Sequence, residues 1–275
     1  ALQQSTTGSN GTAVGSAALY ANTTGAYNVA IGRSALESNT TASNNTAVGY
    51  QASYSSTETG GNTAVGYQSL YANTGSDNSA LGIRSLTSNT TGTKNTALGY
   101  DALTSNTTAS ANTAVGYQAL TTNTTGGDNA AFGYQAAQSN TTGDYLTAIG
   151  RQALYNNTTA DYNTAVGYRA SYANTTGFRN VAIGAFTGQN VTTGTYNVAI
   201  GYSAGGANGS NLSGAENITI GGFSGTNITS ANYNVAMGDS TLRNNTTGSN
   251  NTALGQTALY NNTTASNNTA VGLGA

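Results

Sequence analysis

Residues 112–120 read Asn-Thr-Ala-Val-Gly-Tyr-Gln-Ala-Leu, and residues 122–126 read Thr-Asn-Thr-Thr-Gly. Variants of this stretch recur along the whole chain and align on the glycine that ends each Ala-Val-Gly triplet. Successive marker glycines lie 17 residues apart, except for one interval of 16 and one of 20. A short fixed period of this kind is typical of a solenoid or fibre. The marker glycines number sixteen: Gly15, Gly32, Gly49, Gly66, Gly82, Gly99, Gly116, Gly133, Gly150, Gly167, Gly184, Gly201, Gly221, Gly238, Gly255 and Gly272.

The composition supports a repetitive fold and argues against several partners. The chain has 275 residues, seven Lys or Arg, nine Asp or Glu, and no His, Cys, Pro or Trp. With a net charge of -2 it offers no basic surface to nucleic acid. Leu, Ile, Val and Phe make up only about 14% of the chain, far too little for a compact globular core. No apolar run is long enough for a membrane span, so none is expected in this segment, and any export signal is expected to lie outside it.

Each repeat predicts β-structure. The Thr-Ala-Val triplets alternate between two faces, and recurrent Gly, Asn and Thr disfavour helix. Seventeen residues suit two short strands and two turns. We expect Val14, Ile31, Val48 and their equivalents to form an aliphatic core column, with a leucine column as its partner on the second strand. The prediction is an all-β, parallel β-solenoid (β-roll) of about sixteen 17-residue coils, forming one repeat domain over residues 1–275 in a longer fibre chain. The leucine column is Leu19, Leu36, Leu70, Leu86, Leu103, Leu120 and Leu154.

The alanine at the centre of each triplet should face away from that aliphatic column. An apolar stripe along a stack of coils would exceed what monomers usually expose, so we expect another chain to cover it. The alternative is that alanine lines a narrow interior. The predicted inter-chain stripe is represented by Ala47, Ala64, Ala97 and Ala114.

Asparagines recur at the predicted turns, where stacked amides can hydrogen-bond from coil to coil. Many lie in Asn-x-Thr sequons, which on an exported fibre would be candidate glycosylation sites on outward turns. The repeat is rich in Asn and Thr, so sequons also arise from composition alone. The candidate sites are Asn22, Asn39, Asn89, Asn106, Asn123, Asn140, Asn157, Asn174, Asn245 and Asn262.

Tyrosines follow the marker glycine in three consecutive coils, at Tyr100, Tyr117 and Tyr134. An exposed aromatic ladder can stack on sugar rings, whereas tyrosines stacked on one another would stiffen the fibre. A threonine column gives a further alternative, an ice-binding or carbohydrate-binding face. That column is Thr23, Thr40, Thr74, Thr90, Thr107, Thr124 and Thr141.

The repeat also resembles a known family. Asn-Val-Ala-Ile-Gly at 28–32, 180–184 and 197–201 is similar to the head repeat of trimeric autotransporter adhesins, and the full copy at 112–126 to repeats of phage-type tail fibres. The resemblance covers all sixteen copies and implies a left-handed β-roll that forms a homotrimer. The repeats depart from the adhesin head by about three extra residues in the Asn-Thr-Thr turn.

No residues point to catalysis. Gly201-Tyr202-Ser203-Ala204-Gly205 matches a hydrolase elbow, but the chain has no histidine to act as its base. We therefore expect no enzyme and no catalytic, cofactor or metal site. The expected function is a rigid shaft or head of an extracellular homotrimeric surface fibre or tail fibre, with a host-surface glycan or receptor as partner. A glycosylated self-assembling filament and an ice-binding or carbohydrate-binding solenoid are the alternatives.

Overall fold

A computed structural model describes residues 4–206 and 212–275, and all regular structure in these ranges is β. The chain divides into two compact units, Ala1–Gln135 and Ala136–Ala275. The first contains β1 (Thr12–Val14), β2 (Val29–Ile31), β3 (Thr46–Val48), β4 (Thr63–Val65), β5 (Ser79–Leu81), β6 (Thr96–Leu98), β7 (Thr113–Val115) and β8 (Ala130–Phe132). The second contains β9 (Thr147–Ile149), β10 (Thr164–Val166), β11 (Val181–Ile183), β12 (Val198–Ile200), β13 (Ile218–Ile220), β14 (Val235–Met237), β15 (Thr252–Leu254) and β16 (Thr269–Val271).

Within each unit, neighbouring strands pair in parallel and in chain order. In the first unit Ala47 pairs with Ala64 and Val48 with Val65, a shift of one repeat. In the second unit Ala182 pairs with Ala199 in the same way. Equivalent side chains therefore stack in columns, about 4.8 Å apart. The predicted all-β parallel solenoid with a 17-residue period is confirmed, while its handedness and trimeric state stay predictions.

Among residues 4–206 and 212–275 each coil contains one strand, so the prediction of a second strand is wrong. The second and fourth residues after the marker glycine have left-handed backbone dihedral angles, as at Gln51 (φ 52°) and Ser53 (φ 51°). Such a backbone turns instead of extending. The hydrogen bonds between coils nevertheless continue through this corner, because the Gln51 N–H donates to the Arg33 carbonyl (3.0 Å) and the Ser53 N–H to the Ser69 carbonyl (2.9 Å).

The marker glycine is required by close backbone approach. Gly49 has a φ of 136°, and a Cβ added to it would lie 2.4 Å from the carbonyl oxygen of Gly66 in the next coil. No L-amino acid side chain fits that space, and the dihedral angle itself favours glycine. The marker glycine therefore provides both a positive φ and the close approach of successive backbones.

The strand faces are the reverse of the prediction. The central alanine of each triplet points into the coil, and Ala47 is 0% exposed. The flanking residues point outward, so that Val14 is 58% and Leu81 50% exposed. The interior is filled by alanine, asparagine and the left-handed leucine column, in which Leu103 is fully buried. The strand residue that faces this narrow interior is alanine except in β13, where Thr219 is 1% exposed and a Cβ on Gly225 would lie 2.6 Å from its Cγ2.

Part of the second unit is packed differently. Here Gly188 and Gly225 replace the buried leucine, and Val191 and Ile228 replace the asparagine three residues later. A Cβ on Gly225 would lie 2.8 Å from Cδ1 of Ile228, so the larger aliphatic side chain occupies the space that leucine fills elsewhere. The two substitutions compensate each other in volume, as close packing requires.

Candidate functional site

The outward side chains of the strands form an apolar stripe on each unit, which we call the aliphatic stripe. In the first unit most strands carry one outward threonine or serine and one aliphatic residue, except β2 and β8. Thr63, Ser79, Leu81, Thr96 and Leu98 line an apolar groove of about 200 Å³ there. In the second unit the outward positions of β11–β14 are all aliphatic. These eight residues are Val181, Ile183, Val198, Ile200, Ile218, Ile220, Val235 and Met237.

The alanines predicted to contact another chain are not on this surface. Ala47, Ala64, Ala97 and Ala114 are at most 1% exposed because they face the coil interior. The prediction of an alanine inter-chain stripe is wrong, and the alternative of an alanine-lined interior is correct. Pattern alone did not decide this, since both strand faces are apolar.

The sequon asparagines form buried amide ladders. The Asn106 side chain is 0% exposed, and its Nδ2 donates to Asn89 Oδ1 (2.8 Å) and to the Ala109 carbonyl (3.0 Å). Its Oδ1 accepts from Asn123 Nδ2 (3.1 Å). The predicted coil-to-coil hydrogen bonding of stacked amides is confirmed here.

This burial overturns the outward placement of the candidate glycosylation sites. A glycan would be attached to the Nδ2 atom that makes the ladder bonds, in an interior with no space for a sugar. At Asn262, which is half-buried, Nδ2 donates to Asn245 Oδ1 and to the Ala265 carbonyl, both at 2.9 Å. The other nine are at most 2% exposed: Asn22, Asn39, Asn89, Asn106, Asn123, Asn140, Asn157, Asn174 and Asn245.

The tyrosine ladder exists, and its rings stack on one another. Ring centroids of Tyr100 and Tyr117 lie 5.2 Å apart, and those of Tyr117 and Tyr134 also 5.2 Å, with interplanar angles of 8° and 7°. Both faces of the Tyr117 ring are therefore covered. The Arg84 guanidinium lies 5.1 Å from the Tyr100 ring centroid. What remains exposed is mainly ring edge, whereas sugar stacking uses ring faces, so the geometry favours the stiffening role and binding stays a prediction.

The same ladder carries an ion pair. Arg84 Nε and Nη2 each donate to a carboxylate oxygen of Asp101 in the next coil, both at 2.8 Å. The hydrogen bond to Asp101, and then its negative charge, raise the pKa of the Arg84 guanidinium. Arg84 Nη2 also donates to the Tyr100 hydroxyl. This bidentate contact orders a guanidinium that would otherwise be mobile.

The threonine column uses its hydroxyl groups along the coil stack. Thr23 Oγ1 donates to the Thr40 carbonyl (3.0 Å), and Thr90 Oγ1 to the Thr107 carbonyl (2.9 Å). In the second unit Thr141 Oγ1 donates to the Thr158 carbonyl (2.9 Å). These donors are not directed toward an external lattice, so no observation favours the ice-binding or carbohydrate-binding alternative at this column.

Sequence reasoning missed a charged aromatic groove in the second unit. It has a volume of about 400 Å³ and is lined by Asp161, Tyr162, Phe178, Arg179 and Tyr196; we call it the Arg179 groove. Arg179 occupies a column position that is tyrosine in the coils on either side, Tyr162 and Tyr196. An arginine between two tyrosines at the same position of the repeat was the sequence signal that could have indicated this groove.

Other chemistry is sparse. Across the described residues, no group of three or more His, Cys, Asp or Glu side chains lies close enough to hold a metal ion. In residues 4–206 and 212–275 we find no helix with the length and apolarity to span a bilayer.

Comparison with known proteins gives no further assignment. No family model matches the chain, and no curated protein matches its sequence. The adhesin-like and tail-fibre-like character therefore stays a prediction that rests on the repeat motif.

Proposed function

We propose that the chain is a structural and adhesive segment of an extracellular homotrimeric fibre, in which it acts as a rigid shaft or head for attachment. The observation that supports this proposal is the aliphatic stripe. Large apolar side chains are exposed in several coils, including Ile31, Leu81 and Leu98 in the first unit and Ile183 and Met237 in the second. A contiguous apolar surface of this kind is typical of a protein–protein interface.

The interface then lies on the outward neighbours of the alanines in the same strands. Stacked coils repeat the same outward side chains at each level, so copies of the chain can pair stripe against stripe over many coils. Each added coil adds the same contact, and the interface grows with the number of repeats. The low charge of the chain favours this packing, because few charged groups would have to be desolvated.

The backbone supports a mechanical role. Coil-to-coil hydrogen bonds run through strand, corner and turn, as in Thr46 N–H to the Asn62 carbonyl (2.9 Å) and Gly49 N–H to the Ile31 carbonyl (2.8 Å). Asparagine ladders and tyrosine stacks add side-chain contacts in the same direction. Within each unit, coils that are bonded to one another in this way resist bending and extension.

The test is the solution mass of the native chain and of a stripe variant, measured by light scattering. We expect a particle of three 27.4 kDa chains. Leu98→Glu, which places a charge in the stripe, should reduce that mass to one chain without loss of β-structure. Thr108→Glu changes an exposed residue of the same repeat away from the stripe and should leave the trimer intact. A monomeric wild-type chain would refute the trimer, and equal behaviour of the two variants would refute the aliphatic stripe as its interface.

A further inference from the structure

We propose that the Arg179 groove binds an acidic saccharide, a sugar ring that carries a carboxylate. This inference deepens the attachment role proposed above and rests on it for its biological setting. The binding itself depends only on the five residues of the groove, which all lie in the second unit.

The guanidinium of Arg179 is held in place and remains exposed. Its central carbon lies 5.5 Å from the Tyr162 ring centroid and 5.3 Å from that of Tyr196, and its Nη1 donates to the Tyr196 hydroxyl. Arg179 has no ion pair with a carboxylate among the described residues. An ordered guanidinium with unused donors is suited to bidentate binding of a carboxylate.

The aromatic side chains differ from those of the tyrosine ladder in a way that matters for sugars. Phe178 and Tyr196 meet edge to face, at 72° with centroids 5.4 Å apart. In such a pair, the ring that presents its edge keeps both faces free of its partner, whereas the parallel rings of Tyr117 and its neighbours cover each other. Phe178 is 38% and Tyr196 44% exposed. The Arg179 guanidinium also lies 5.8 Å from the Phe178 ring centroid and covers part of the ring faces. The C–H groups of a sugar ring can pack on the part of Phe178 and Tyr196 that stays exposed beside it.

Asp161 supplies the acceptor that saccharide hydroxyls require. One of its carboxylate oxygens accepts the Asp144 backbone N–H at 2.9 Å, which fixes the side chain at the groove. Backbone hydrogen bonds between coils set the spacing of the groove, from Arg179 N–H to the Asp161 carbonyl and from Tyr196 N–H to the Phe178 carbonyl, both 3.2 Å. A cation, a carboxylate and aromatic faces on a fixed backbone are a small set of polar groups around an apolar surface, as in small-molecule sites.

The combination selects among ligands. A neutral sugar would leave the guanidinium without its anion, and a simple anion would leave the aromatic surface unused. An acidic sugar satisfies the guanidinium with its carboxylate, Asp161 with its hydroxyls and the rings with its C–H face.

The experiment is a binding titration of the full chain with D-glucuronate, D-glucose, acetate and inorganic phosphate, followed by ligand-observed NMR. We expect D-glucuronate to bind at least about tenfold more tightly than the other three. Arg179→Gln should weaken D-glucuronate binding at least about tenfold. Arg33→Gln is the matched control, because Arg33 also lies over a tyrosine ring, Tyr50, at 5.9 Å but outside the groove. The Arg33→Gln variant should bind D-glucuronate as tightly as the wild-type chain does.

Absence of D-glucuronate binding, equal loss in the two arginine variants, or equal binding of glucose, acetate or phosphate would overturn the inference. The light-scattering mass of the same samples separates this result from the proposed function. A monomer that binds D-glucuronate through Arg179 would refute the trimer and support the groove, and a trimer that does not bind it would do the reverse.

Discussion

Replacement of Asn106 by alanine should destabilise the first unit by about 3 kcal/mol. The buried amide of Asn106 makes two donated hydrogen bonds and one accepted bond in its ladder. Two of the three partners keep another bond after the change, because the Ala109 carbonyl also accepts from Asn95 Nδ2 and Asn123 Nδ2 also donates to the Gly126 carbonyl. Asn89 Oδ1 would be left buried without a donor. The orphaned oxygen costs about 1–3 kcal/mol and each other lost bond about 0.5 kcal/mol.

The measurement is urea unfolding followed by far-UV circular dichroism, with amide hydrogen exchange of the neighbouring coils as a local readout. The local readout is needed because a repeat array can unfold in parts instead of in one step. Thr108→Ala, an exposed change two residues away, is the control and should shift stability by less than about 0.5 kcal/mol. If both variants lose the same small amount of stability, the ladders do not hold the coils together and the reasoning fails.

The chain contains natural interruptions of the same ladder that show what the variant would create. Where Ser56 takes the asparagine position, the buried Oδ1 of Asn39 has no hydrogen-bond partner. Where Val191 takes it, the same is true of Asn174 Oδ1. Each orphaned oxygen lies next to a coil whose side chain at that level has no amide.

Two further changes test the interior and the marker glycine. Ser53→Leu should raise the melting temperature and stabilise the first unit by about 2 kcal/mol. Ser53 is buried with an unpartnered hydroxyl, at a position that Leu36 and Leu70 fill in the adjacent coils. An unchanged or lower melting temperature would show that the leucine column has no space there. Gly99→Ala should cost about 3 kcal/mol or more in urea unfolding, because its Cβ would lie 2.4 Å from the Gly116 carbonyl oxygen at a φ of 141°. Wild-type stability of this variant would contradict the close approach of the two backbones.

Much of the fold follows from the period alone. The 17-residue spacing fixes which residues stack, and the Thr-Ala-Val triplet identifies the strand. The marker glycine, the buried leucines and the amide ladders are all readable as columns. Each of these features depends on contacts with the neighbouring coil, and the period specifies which residues of that coil make them.

The direction of side chains was harder to predict. Alternation places Ala114 and Val115 on opposite faces but does not say which face is inside, because both residues are apolar. The inside is set by the width of the coil, and that width follows from left-handed residues such as Gln118 and Leu120 at the corner. Nothing in their residue types predicts a positive φ, since leucine and glutamine rarely adopt one. The same corner turns Asn106 and Asn123 inward, although turn asparagines are usually exposed.

Interior and outward columns of side chains differ in how strictly the fold constrains them. An interior side chain touches its equivalents above and below, so a departure there is either compensated, as Gly225 compensates Ile228, or leaves an unpartnered group, as at Ser53. An outward side chain has solvent on one side, and a departure there needs none. Arg179, which lies between Tyr162 and Tyr196, is of the second kind, because no interior change accompanies it. Other coils hold Lys94, Asp128 or Glu216 at the same column position. Its guanidinium contacts the rings of Tyr162 and Tyr196, but packing does not require an arginine there, so the groove around it is the place to search for a ligand.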